Sequence, residues 1–425
     1  MNEDNPIANK PNLDVFFDDQ LIGQISTNDG VSIQFSYLES WLKNETSFPI
    51  SISIPLTADS VEDETANNFF VNLLPEEAIR KRTCEKLGIS VGNHYELLKR
   101  IGGDCAGALT ILPEGKCPIQ KDEYKPISQE QLAGWSKGDQ FAFAEVAGEE
   151  EVRLSLAGAQ DKLPVKVDGN EFFLPLGNSP STHILKFASH YFSHLPENET
   201  FTTMLARAAG VETVAISLYQ TNRSRIAVVE RYDRIEADGV FSRTHQEDFC
   251  QALGMHPSEK YQKEGGPSIK QCVELIKSVC SVPAVELEKF IRWVMFNWLG
   301  YNADAHAKNI SFLFINGETK LTPFYDLVCT NNYERLSKNL AMSIGGEYLP
   351  GGVNQNHLGA LAQELEVNLS YLNQLAAETA GKLQDSMDET IEEFKDLYGD
   401  SPVLERISII VRSRCRRALN SSLKA

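Results

Sequence analysis

Residues 302–309 read Asn302-Ala303-Asp304-Ala305-His306-Ala307-Lys308-Asn309, and a short hairpin's length later comes Pro323-Phe324-Tyr325-Asp326. An Asp stands five residues before an Asn, with a second Asp downstream. That order suits phosphoryl transfer. Asp304 can accept the proton of an attacking hydroxyl. The Asn309 amide oxygen and the Asp326 carboxylate are hard oxygen ligands, suited to magnesium on ATP phosphates. His306 either orders this loop or contacts ATP. A hydrolase built on His306 and Asp304 would need a G-x-S-x-G nucleophile elbow, and the chain offers none.

Working upstream, Thr182-His183-Ile184-Leu185-Lys186-Phe187 is an apolar strand with one charge. A lysine there needs an anionic partner, a carboxylate or a phosphate, unless its amine reaches water at a strand edge. Glu197 and Glu199, ahead of a helix expected from Asn198 to Ala209, are candidate carboxylates. Between two expected strands, 152–156 and 163–167, lies Ser155-Leu156-Ala157-Gly158-Ala159-Gln160-Asp161-Lys162. Its small residues would let backbone amides approach phosphate oxygens, although it lacks Walker A spacing and reads equally as a β-turn. Val229-Glu230-Arg231-Tyr232-Asp233-Arg234 closes the strand set, where a hinge between lobes would lie. A surface salt-bridge cluster is the other reading of that run.

The remaining pattern gives an α+β chain in three sections. Residues 1–118 are β-rich: Leu13–Phe17 and Leu21–Ile25 flank a hairpin turn, and 31–37 and 50–54 alternate like further strands. Pro75-Glu76-Glu77 opens a helix that runs to Gly88. Residues 119–243 carry strands, one helix and more strands, the order of a kinase small lobe. From 244 to 425 helices dominate, the first announced by Thr244-His245-Gln246-Glu247, a capping-box pattern.

Bulk properties narrow the function. A net charge of −19 argues against general nucleic-acid or membrane-surface binding. Locally, Arg406, Arg412, Arg414, Arg416, Arg417 and Lys424 face only Glu405, which reads as a phosphate or DNA-backbone contact or as a solvated helix face. The eight cysteines form no C-x-x-C pair and suit reduced thiols in a cytoplasmic protein. His190 and His194 are one helical turn apart but lack an H-E-x-x-H motif. The acidic, polar start Met1-Asn2-Glu3-Asp4-Asn5-Pro6 is no secretory signal. The apolar run from Phe290 to Tyr301 holds Arg292 and Asn297, and reads as a buried helix rather than a membrane span.

Several motifs in order resemble the HipA toxin kinases of bacterial toxin–antitoxin systems. They are Phe69-Phe70-Val71-Asn72-Leu73-Leu74-Pro75-Glu76, Gly103-Asp104-Cys105-Ala106-Gly107-Ala108-Leu109, the 155–162 loop, His245-Gln246-Glu247-Asp248-Phe249-Cys250-Gln251-Ala252-Leu253-Gly254 and the opening octapeptide. The resemblance spans nearly the whole chain and implies a two-lobed, kinase-like fold with a helical C-terminal lobe. It implies Asp304 as catalytic base and Asn309 and Asp326 as magnesium ligands. ATP contacts would come from Ala157, Gly158, Ala159, Gln160, Asp161, Lys162, Lys186, Glu230, Arg231, Tyr232, His306, Ala307, Lys308, Asn309 and Asp326. It further implies a self-silencing phosphorylation at Ser155, an aminoacyl-tRNA synthetase as substrate, typically the glutamyl enzyme, and a HipB-like helix-turn-helix antitoxin that represses the operon. One departure is the pair of alanines around Asp304, where many relatives have Thr and Gly. The alternative is a binding protein that holds an antitoxin on operator DNA with little kinase activity.

Overall fold

Alternating apolar residues from Leu13 onward build an antiparallel sheet, β1 (Leu13–Phe17), β2 (Gln20–Ser26) and β3 (Gln34–Tyr37), with β4 (Leu109–Pro113) on the far side of β1. Leu13 faces Ile25 and Val15 faces Gly23 across the hairpin, so one face packs inward over Trp41, Phe35, Phe69 and Phe70. The computed structural model describes residues 11–61, 64–119, 122–138, 141–149, 151–189, 191–237 and 240–422. The N-terminal hexapeptide, His190 and Lys424 lie outside them.

The chain divides into two compact units, Met1–Lys186 with Arg231–Pro257, and Phe187–Glu230 with Ser258–Ala425. The first also holds β5 (Tyr124–Pro126), β6 (Lys162–Asp168), β7 (Glu171–Pro175) and β8 (His183–Lys186), antiparallel in the order β5–β7–β6–β8. The second gains its first hairpin from β9 (Ile216–Gln220) and β10 (Arg225–Glu230). Back in the first unit, β11 (Arg234–Ala237) pairs β12 (Val240–Arg243), followed by β13 (His245–Asp248). The second unit then continues with helices Ile269–Val279 and Pro283–Gly300, the hairpin of β14 (Ser311–Ile315) and β15 (Glu318–Leu321), and four helices from Gln355 to Ser422.

Three local expectations shift. The first helix after residue 244 starts at Phe249, because the capping box that forms is Asp248 with Gln251; Thr244 only leads into β13. Residues 50–54 form a turn closed by Ser51 and Ile54, since the Glu247 carboxylate accepts from the Ser51 hydroxyl at 2.5 Å and the Ile52 N–H at 2.9 Å. Residues 152–156 make a single bridge, Leu154 to Asp104, in place of a strand. The eight cysteines are free, seven of them buried and Cys117 exposed. Among the described residues no helix is long and apolar enough to cross a membrane.

Candidate active site

In the second unit the helix Pro283–Gly300 ends where Tyr301 turns left-handed, φ 58°, and releases the chain into the 302–309 loop. Trp293 on that helix stacks on Phe290 at 5.8 Å and on Phe324 at 5.5 Å, fixing the strand end before Asp326 against the helix. The loop is then closed by its own amides. The Asn302 side chain donates to Asn297 Oδ1 (3.0 Å) and the Asp326 carbonyl (3.4 Å), and accepts from the Asp304 N–H (3.1 Å). The Thr330 hydroxyl donates to the Tyr301 carbonyl and accepts from the Ala303 N–H, both at 2.9 Å. Asn198 holds Cys329 from both sides, its Oδ1 accepting at 2.9 Å and its Nδ2 donating at 3.1 Å.

Every residue from 302 to 310 is buried except Asp304, whose side chain is 54% exposed. Asn309 donates Nδ2 to the Asp304 carbonyl at 2.9 Å, which turns its amide oxygen away from that bond and leaves it as a possible metal ligand. Tyr325 donates to the Lys308 carbonyl at 2.9 Å and shares a 2.7 Å hydrogen bond with Ser311, so the segment before Asp326 anchors the loop after Asp304. Asp326 itself takes a left-handed φ of 55°, rare outside glycine, asparagine and aspartate. His306 is buried with Nε2 4.0 Å from Asp304 Oδ1, and the Tyr261 hydroxyl donates to that same oxygen. No sequence motif pointed to Tyr261; only the Gly265-Gly266-Pro267 turn after it marked a tight loop. Among the described residues no three His, Cys, Asp or Glu side chains gather as a metal site. One Asn and one Asp still fit magnesium, which keeps several waters and takes few protein ligands.

In the first unit Lys162 on β6 lies directly opposite Lys186 on β8. Like charges facing each other across a ladder are unfavourable unless an anion lies between them. Lys186 is 3% exposed. A Cβ on Gly158, at φ 114°, would come within 2.7 Å of Lys162 Nζ, so the lysine amine reaches the underside of the 157–161 turn. That turn is tied down by the Glu76 N–H, which donates to the Gly158 carbonyl at 3.1 Å. Ser155, just before it, is fully buried and donates its hydroxyl to the Leu73 carbonyl at 2.7 Å.

Two residues of the expected ATP set are engaged elsewhere. Asp161 accepts the Ala142 and Phe143 N–H groups at 2.7 and 3.2 Å and caps the helix Ala142–Val146; burial pushes its carboxyl up to about 6. Arg231 sends its guanidinium into a buried cluster, bidentate to Asp233 at 2.9 and 2.7 Å and 3.3 Å from Asp104, while its N–H donates to the Thr182 carbonyl. The salt-bridge reading of that run therefore describes its side chain, but in the interior. Glu230 is exposed, and Tyr232 donates to Gln246. In the second unit, Glu197 and Glu199 lie inside the helix Leu195–Ala208, and Glu197 meets His194 at 3.1 Å and Arg225 at 3.8 Å. The basic C-terminal helix divides by role: Arg414 is buried, 5.5 Å from the Trp298 ring centroid and 5.9 Å from that of Tyr301, Arg412 pairs with Asp388, and Arg406, Arg416 and Arg417 are exposed.

Comparison with known proteins matches residues 154–396 to the HipA-like C-terminal domain and residues 13–112 to the HipA N-terminal domain. The chain is 37% identical over 412 residues to the putative kinase Y4mE of Sinorhizobium fredii, covering 95% of this chain and 97% of that one. It is 31% identical over 423 residues to the serine/threonine-protein kinase toxin HipA of Shewanella oneidensis, covering 96% of each. Among solved structures, a chain from the Shewanella oneidensis HipA, HipB and operator DNA complex superposes with a TM-score of 0.85 at 30% identity, covering 97% of this chain and 98% of that one.

Proposed function

The chain belongs to the HipA family and is a serine/threonine-protein kinase of a toxin–antitoxin type, and from that premise we propose how its residues divide the work. The acceptor hydroxyl gives its proton to Asp304 as its oxygen bonds the γ-phosphorus of ATP, and the bond to the bridging oxygen of departing ADP breaks. Lys162, Lys186 and the 157–160 turn hold phosphate oxygens. Asn309 and Asp326 would hold magnesium, which would neutralise phosphate charge when bound. His306, Ala307 and Lys308 shape the wall beside Asp304, and Glu230 and Tyr232 are assigned the reading of the adenine edge. The carrying observation is that Asp304 alone is exposed in a loop otherwise buried and hydrogen-bonded.

The substrate we propose is a translation factor in the cytoplasm, an aminoacyl-tRNA synthetase such as the glutamyl enzyme. The support is the family resemblance. Ser155 is the proposed self-phosphorylation site: a phosphate there adds about two negative charges beside a turn meant to hold ATP phosphates. A HipB-like antitoxin is the proposed partner, supported by the Shewanella complex, which holds HipA together with HipB and operator DNA. The exposed Arg406, Arg416 and Arg417 favour a second, compatible role, co-repression with DNA phosphates near that helix.

Labelled ATP, magnesium and a cell lysate test the reading. Wild type should label a small set of proteins, and Asp304→Ala none, while still binding ATP. Equal labelling or toxicity by that variant would remove Asp304 from the mechanism. Ser155→Ala should lose self-labelling and stay active.

A further inference from the structure

Tyr261 belongs to a loop whose shape is set on both sides. The Lys260 carbonyl accepts from the Ala307 N–H at 3.4 Å, inside the catalytic loop. Gln262 donates its N–H to the Ala341 carbonyl at 3.0 Å and accepts the Ser343 N–H on its side chain at 2.7 Å. The Tyr261 carbonyl accepts from the Gly266 N–H at 2.9 Å, and a Cβ on Gly266 would stand 2.2 Å from the Glu259 carbonyl oxygen. A glycine is therefore required to close the turn. The tyrosine ring meets His306 edge-on at 5.2 Å. Its hydroxyl donates to Asp304 Oδ1, and Oδ2 accepts no hydrogen bond among the described residues.

We infer that Tyr261 is a positioning residue for phosphoryl transfer, holding Oδ1 of Asp304 so that Oδ2 is presented to the acceptor hydroxyl. This rests on Asp304 being the base. A plug in the acceptor's place would bury the carboxylate, yet the Asp304 side chain stays 54% exposed with the tyrosine bonded to it. An aspartate on an exposed turn rotates freely about χ1 and χ2. Fixing one oxygen removes those rotamers before the acceptor arrives, which is worth rate rather than affinity for ATP.

Tyr261→Phe keeps the ring against His306 and removes only the hydroxyl. Steady-state phosphorylation should show kcat down about tenfold, the scale of one hydrogen bond to a charged group. KM for ATP and the thermal midpoint should stay at wild-type values. Tyr261→Ala, which also loses the ring, should fall further and melt earlier. Wild-type kcat in Tyr261→Phe would overturn the inference, reducing the residue to a packed ring. A raised kcat would overturn it too, since the hydroxyl would then be competing with the acceptor. Asp304→Asn in the same assay separates the two levels: full activity there defeats the base assignment itself, and this inference with it.

Discussion

Asp104 and Asp304 begin alike, each a lone acid in a turn of small residues, and the fold uses them in opposite ways. Asp104 is 1% exposed and receives Arg234 at 2.7 Å, Arg231 at 3.3 Å, Arg243 at 3.5 Å and the Ser181 hydroxyl at 2.5 Å. Burial by itself would raise its carboxyl, but Arg234, Arg231 and Arg243 hold it far below the usual carboxylate range. Asp304 meets no arginine or lysine within ion-pair distance among the described residues, and its surroundings fix its backbone while leaving its carboxylate in the open. A carboxylate neutralised on every side can stabilise a fold. One left half in solvent on a rigid loop can take a proton.

Substitutions can break that contrast. The largest effect is on rate: Asp304→Asn should lower phosphoryl transfer by about 10³-fold or more, on the scale of a lost general base, with stability unchanged within about 0.5 kcal/mol. Asp104→Asn should do the reverse, costing on the order of 3–5 kcal/mol in urea denaturation by leaving three arginines short of an anion. If Asp104→Asn instead kept full stability and lost activity, the division of labour would be wrong.

Next in size comes Glu247. Burial pushes its carboxyl up to about 8 from 4.5, against the Ser51 and Ile52 hydrogen bonds that favour ionisation. With the folded value above the unfolded one, the stability it contributes is whole below about 4.5 and is lost as pH rises through 8. Wild type should lose stability steadily between pH 5 and 8 on this account, and Glu247→Gln should flatten the slope in parallel urea titrations. Arg414→Ala should be smallest, about 1 kcal/mol from the lost stacking beside Trp298 and Tyr301. Its sharper readout is kcat, because Tyr301 leads into the 302–309 loop that carries the proposed base.

What could be read ahead of the structure was chemistry written locally. Asp304, Asn309 and Asp326 sit within one loop and hairpin, so spacing alone brought them into view. The facing of Lys162 and Lys186 needed β6 and β8 paired in register. Arg231 looked like a surface or hinge residue because one of its partners, Asp104, is 127 positions away. The turn at 50–54 looked like a strand for the same reason, its organising carboxylate being Glu247. Thr244 matched a capping box by type, but Asp248 and Gln251 match it too, and β13 uses up the first candidate. Tyr261 had no local mark beyond the glycine turn that follows it. Long-range pairing, rather than propensity, decided each of these.

The hydroxyl of Ser155 has no solvent-facing surface, and its proton is spent on a backbone carbonyl from another part of the chain. Any kinase acting on that oxygen would meet only the fraction of molecules in which the segment has let go of Leu73 and Asp104. The modification rate then scales with the opening equilibrium, and each 1.4 kcal/mol holding the segment in place lengthens the wait about tenfold. With Ser155 as the proposed silencing site, strengthening the grip on residues 153–158 would act as a delay setting, extending the working life of each molecule without touching its chemistry.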